Sequence, residues 1–100
     1  MDNGGEDKAV IRTRKINRGN GAAHILEHPV FLEAIETLRK QNYEQYCSTL
    51  DEAEAIRRGL WAKKIAIDAI ALQLEAFVQN GHFYAAEVKA ERLDKNPEKE

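Results

Sequence analysis

The segment from residue 50 to residue 80 constrains the fold of this chain more than any other. It contains no proline and one glycine, Gly59, and Asn80-Gly81 after it is a typical helix stop. Thr49 followed by Glu52 fits a capping box at its start. The sequence therefore predicts one long helix of about 29 residues, roughly 44 Å at 1.5 Å per residue.

This long helix is apolar on two faces. The first face has the alternating four- and three-residue spacing of coiled-coil-like packing, and it consists of Ile56, Leu60, Ile67, Ile70, Leu74 and Phe77. The second is a stripe rotated away from the first, formed by Trp61, Ile65, Ala69, Leu72 and Ala76. A single shorter helix does not easily cover both faces, and exposed apolar stripes of this length are uncommon on monomers. We therefore expect another protein, or another copy of this one, on the second face.

A second long helix is predicted to begin at Pro29. Proline suits the first helical turn and disfavours helix at His28, the residue before it. Apolar residues then recur at helical spacing to about Ser48, and a short turn to the next helix implies an antiparallel hairpin. Residues 82–92 are rich in alanine, glutamate and lysine and predict a short third helix. The expected fold is all-α: a hairpin of two long helices, a short C-terminal helix and a flexible basic N-terminal arm.

The ends of the 100-residue chain are polar. Residues 1–22 are predicted to be a disordered basic arm, because the run Lys8–Arg18 has five positive charges and no negative one. Residues 94–100 are predicted to be a disordered tail, which leaves residues 23–93 as one helical domain. A core of this size seldom supplies more than ~3–5 kcal/mol, so self-association is expected.

No residue pattern favours catalysis, a cofactor or a metal. The lone Cys47 cannot form an intrachain disulfide, and the N-terminus lacks the order of a signal peptide, so we expect a reducing cytoplasm. His24 and His28 have helical metal-ligand spacing but no convergent third ligand. Asp68 interrupts the most apolar stretch, so no membrane span is expected.

The candidate partner-binding residues lie on the long helix: Leu60, Trp61, Ile65, Asp68 and Leu72. For Asp68 two interpretations stay open. It either pairs with Lys64 one turn earlier at a half-exposed rim, or it faces a partner and fixes the register of a helical interface. The alternative nucleic-acid-binding residues are those of the basic arm: Arg12, Arg14, Lys15 and Arg18.

Four short motifs between residues 24 and 82 carry a resemblance to a family. They are His28-Pro29-Val30-Phe31-x-Glu33-Ala34-Ile35-x-x-Leu38, Thr49-x-Asp51, Arg57-x-x-Leu60-Trp61 and the Gly81 stop. The chain resembles small helical proteins encoded among the head and packaging genes of tailed bacteriophages and prophages. The resemblance implies a phage origin and a non-enzymatic role in virion assembly or as an adaptor, in the host cytoplasm or the virion. It carries over no catalytic residue.

Two alternative functions are kept beside this one. The first is a DNA-packaging factor resembling a small terminase subunit, which binds DNA through the basic arm. The second is a small inhibitor of a host defence protein, although the net charge of −2 argues against strong mimicry of nucleic acid.

Overall fold

A computed structural model describes residues 7–95 of the chain, and this part is helical almost throughout. Helix α1 spans Lys8–Glu27, α2 spans Pro29–Ser48 and α3 spans Glu54–Lys95. The described residues contain no strand. The prediction of an all-α chain is confirmed.

The basic N-terminal segment is a helix from Lys8 onward, and the expectation of a disordered arm over residues 1–22 is wrong for this part. The carboxylate of Asp7 caps the helix by accepting hydrogen bonds from the backbone N–H groups of Ala9, at 2.6 Å, and Val10, at 3.2 Å. The remaining residues of the predicted arm, 1–6, lie outside the described part. Helix α1 is ordered because it packs along α3. A count of the charges within residues 1–22 does not reveal this packing.

Helix α2 begins at Pro29 and ends at Ser48, as predicted. His28 has the extended backbone that a residue before proline favours, and its Nδ1 accepts a hydrogen bond from the N–H of Val30 at 3.1 Å. The single residue His28 thus ends α1 and caps α2.

The capping box at Thr49 and Glu52 is wrong, because Thr49 closes α2 instead of opening α3. Its N–H donates to the carbonyl of Tyr46 at 3.3 Å, and its hydroxyl donates to the carbonyl of Gln45 at 2.6 Å. A short connection follows, and α3 begins at Glu54.

Helix α3 is one helix of 42 residues, about 63 Å long. It continues through Gly81, so the predicted stop and the separate short C-terminal helix are both wrong. Gly81 has no left-handed backbone conformation. Glycine is needed here for its small size, because a Cβ at this position would lie 3.1 Å from the Cα of Gly19 on α1. The last helical residues, Asp94 and Lys95, take up the start of the predicted tail, and residues 96–100 lie outside the described part.

Helices α1 and α2 follow one another along α3, and both run antiparallel to it. Arg12 of α1 contacts Glu91 of α3, Arg39 of α2 contacts Asp68, and Thr49 after α2 contacts Arg57. The chain is therefore an elongated body of 69 × 34 × 19 Å. Its radius of gyration is 20.9 Å, against about 13 Å for a compact domain of 100 residues.

The hydrophobic core is thin. The buried apolar side chains of the described part are Ala22, Ile35 and Ile67, and no large side chain there is completely buried. A rod two helices thick covers each helix from one direction only, so much of the apolar surface stays exposed.

Candidate protein–protein interface

Helix α2 covers one side of α3. Ile67 is 5% exposed there, and Asn42 of α2 donates a hydrogen bond through Nδ2 to the carbonyl of Leu60 at 2.9 Å. Leu60, predicted to bind a partner, is half-buried in this internal contact. Ile56 and Ile70 were expected in the same seam but are exposed, because α2 contacts α3 from a direction nearer Asp68.

A groove of about 400 Å³ opens between α2 and α3. Its walls carry three aromatic side chains, Tyr43, Tyr46 and Trp61, and Ile67 lies among its lining residues. Trp61 is 55% exposed, and the Lys64 ammonium lies 5.4 Å from the centre of its ring, within the range of a cation–π contact. This groove has the character of an interface core: aromatic, apolar and edged by charge.

Asp68 lies at the edge of the groove and joins the two helices. Its Oδ1 accepts from Arg39 Nε at 3.0 Å and its Oδ2 accepts from Lys64 Nζ at 3.0 Å. The hydrogen bond from Lys64, aided by the one from Arg39, lowers the carboxyl pKa below its ordinary value against the opposing effect of desolvation. The structure therefore has the Lys64 pair of the first interpretation, with Arg39 as an additional partner.

Arg57 anchors the connection between α2 and α3, a role that the spacing of its motif does not indicate. Its guanidinium carbon lies 4.2 Å from the centre of the Tyr46 ring, and its Nη1 donates to the carbonyl of Thr49 at 3.0 Å. The Asp51 carboxylate is 3.6 Å away. These contacts fix the end of the groove nearest Trp61.

Ile65 and Leu72 lie on another side of α3, away from α2, where both are more than half exposed. The structure thus separates the five predicted partner-binding residues. Leu60 packs inward, Trp61 and Asp68 line the groove, and Ile65 and Leu72 belong to an outward face. No part of the described chain covers that face.

Two residues of the predicted nucleic-acid-binding set are engaged inside the protein. Arg12 is 8% exposed: its Nη1 donates to Glu91 Oε1 at 2.8 Å, and its Nε lies 3.1 Å from Glu87 Oε1. The hydrogen bond to Glu91 raises the pKa of Arg12 above its usual value. The guanidinium of Arg18 lies 4.0 Å from the centre of the Phe77 ring.

The other members of that set are placed as follows. Lys15 is half-buried, and its backbone carbonyl lies close to Gly81 of α3. Arg14 is exposed on α1. Helix α1 therefore uses part of its positive charge to bind Glu87 and Glu91 in the C-terminal half of α3.

Within residues 7–95, no three His, Cys, Asp or Glu side chains are grouped so that they could hold a metal ion. The described helices also include none with the length and apolar character needed to cross a bilayer. Comparison with protein-family models, curated proteins and solved structures finds no match to this chain.

Proposed function

We propose that this protein acts through protein–protein association, as a non-enzymatic assembly or adaptor component encoded by a tailed bacteriophage. The observation that carries the proposal is the exposed apolar surface of α3. Trp61, Ile65 and Leu72 are each more than half exposed, whereas Ile67, at the contact with α2, is 5% exposed.

Exposed apolar side chains on all three helices support this proposal. In the described part of the chain, large apolar side chains from Val10 to Leu93 are exposed by 37% to 68%. Since apolar surface is favourably removed from water, such a rod gains stability from a partner.

The resemblance to phage head and packaging proteins supports the phage origin. The residues that carry it have structural roles: Pro29 opens α2, and beside the other end of that helix Arg57 holds the α2–α3 connection and Trp61 lines the groove. The motif of Arg57 and Trp61 therefore helps to shape the groove, which suits an association role.

Site-specific photo-cross-linking tests this function in cells. A photoreactive phenylalanine analogue replaces Trp61 in the groove, or Lys63 in a matched variant on a different side of the same helix. We expect the substitution at Trp61 to give discrete covalent products, identified by mass spectrometry, and the one at Lys63 to give few or none. Products of equal yield at both positions, or none at Trp61, would refute the proposal.

The same experiment separates an assembly role from an adaptor role. Cross-linked products in purified virions indicate a virion component, and products confined to the infected cell indicate an adaptor or an inhibitor of a host protein.

A further inference from the structure

The outward face of α3 carries a second regular apolar pattern. Ala62, Ala69 and Ala76 recur every seven residues, and Ile65 and Leu72 lie between them. All five are exposed. We call this face, from residue 62 to residue 93, the outer stripe.

The pattern continues into the C-terminal half of the helix. Phe83, Ala86, Ala90 and Leu93 keep the same alternation of three and four residues, and Gln79 is the single polar member of the outer stripe. These residues are exposed too. The outer stripe is therefore about 47 Å long. A solvent-facing helix side is ordinarily polar, whereas a heptad repeat of apolar residues is the pattern of a helix that packs against another helix.

We propose that the outer stripe is a dimer interface, in which two copies of this protein pack their α3 helices antiparallel about a two-fold axis near residues 77 and 78. The proposal rests on the association function proposed above and names the partner as a second copy. Because α1 and α2 contact α3 from other directions, around Gly81 and Ile67, neither blocks this approach.

The sizes of the side chains favour this antiparallel register. With the axis there, Ala62 lies opposite Leu93 of the partner subunit, and Ile65 lies opposite Ala90 of the partner subunit. Large side chains thus meet small ones at both ends of the stripe, which allows close interdigitation. A parallel pair would instead set each residue against its own copy.

The charges beside the outer stripe also favour it. Along one edge, Asp68 and Glu75 lie in the first half and Lys89 in the second, and Asp68 is also held by Arg39 and Lys64 of its own chain. An antiparallel pair brings the half of one edge that carries the two carboxylates towards Lys89 of the partner subunit, twice by symmetry. Such opposite-charge pairs beside a helical seam set the orientation of the helices.

The area suffices for a specific dimer. A contact about 47 Å long and roughly 10 Å wide buries on the order of 500 Å² on each copy, about 1,000 Å² in total, which is at the lower limit for a specific interface. The proposal therefore describes a reversible dimer whose population depends on concentration.

Disulfide trapping tests the orientation. In a Cys47→Ser background, Ala69→Cys and Ala86→Cys are prepared as two separate proteins, because residues 69 and 86 face one another across the proposed axis. We expect a disulfide dimer when the two are mixed under mild oxidation and little when either is alone, since the bond needs Cβ atoms within about 4.5 Å. Disulfide dimers formed by each protein alone would overturn the antiparallel arrangement.

Sedimentation equilibrium tests the interface itself. We expect the wild type to approach twice its monomer mass of 11.4 kDa as concentration rises, and Ala69→Glu to stay monomeric with unchanged helix content. The control is Ala85→Glu, the same change at an exposed position on another side of α3, which should dimerise as the wild type does.

Two results would overturn the dimer: a wild type that is monomeric at every concentration, or an Ala69→Glu variant that associates like the wild type. Neither would overturn the association function, because the cross-linking at Trp61 tests that function with any partner. Conversely, loss of those cross-links leaves the sedimentation result for the outer stripe unaffected.

Discussion

The close crossing of α1 over α3 predicts that alanine substitution has opposite effects on stability at two glycines of α1, Gly19 and Gly21. A Cβ added to Gly19 would lie 2.9 Å from the carbonyl oxygen of Phe77 and 3.0 Å from the Cα of Gly81. Both are backbone atoms, so no side-chain rotation relieves the contact, and α1 must move away from α3. A Cβ added to Gly21, two residues later in α1, would meet nothing within 4 Å.

The magnitude follows from two opposing effects. Replacing glycine with alanine inside a helix stabilises it by about 1 kcal/mol, because alanine has the higher helix propensity. Overpacking a close contact costs about 1–3 kcal/mol. Gly21→Ala should therefore stabilise the fold by up to about 1 kcal/mol, and Gly19→Ala should destabilise it by up to about 2 kcal/mol. The two variants should differ by about 1–3 kcal/mol, or roughly 5–20 °C in melting temperature for a domain of this size.

Thermal and urea unfolding, followed by circular dichroism at one fixed protein concentration, measures this difference. The concentration must be fixed because a dimer's stability depends on it. Gly59→Ala, also free of neighbours within 4 Å, serves as a control on α3 and should behave like Gly21→Ala. A Gly19→Ala variant as stable as Gly21→Ala would refute the close crossing of the two helices.

Three further predictions concern the contact between α2 and α3. Ile67→Ala should lower the free energy of unfolding by about 2–5 kcal/mol because Ile67 is 5% exposed. Ile70→Ala should lower it markedly less, because Ile70 is 51% exposed. Urea unfolding compares the two variants, and equal losses would contradict the packing. Asn42→Ala should cost about 1 kcal/mol in the same assay, through loss of its hydrogen bond to the Leu60 carbonyl; no loss would mean that this bond adds nothing to stability. The lowered pKa of Asp68 contributes stability that is present above the carboxyl's unfolded pKa of about 3.9 and is lost as pH falls through its folded pKa. Wild type should therefore melt above Asp68→Asn at neutral pH and lose this advantage in acid, and a pH-independent difference would contradict the ion pair.

The largest errors of prediction from the sequence came from glycine. Gly19 and Gly21 lie in the segment predicted to be a disordered arm, and Gly81 lies at the predicted helix stop. In the structure all three lie inside helices. Gly19 and Gly81 lie where the backbones of α1 and α3 cross, and the lack of a side chain at each lets the two backbones approach. Since this reason lies 62 positions away along the chain, no local pattern could reveal it.

The candidate site was predictable only in part. The exposure of Trp61, Ile65 and Leu72 follows from an excess of apolar residues on α3, which the sequence shows directly. Their division between a groove and an outer stripe depends on the direction from which α2 approaches. The pairing of Arg57 with Tyr46 depends on the same docking.

Local chemistry by itself determined the helical character of the chain, the start of α2 at Pro29 and the apolar excess on α3, because backbone preferences and side-chain periodicity act over a few residues. Tertiary contacts alone decided that the basic segment is a helix and that α3 continues through Gly81. Arg12 reaches Glu87 and Glu91 only after α1 has packed against α3. The free energy that orders these segments comes from contacts between residues far apart in the chain, and such contacts exist only in the assembled fold.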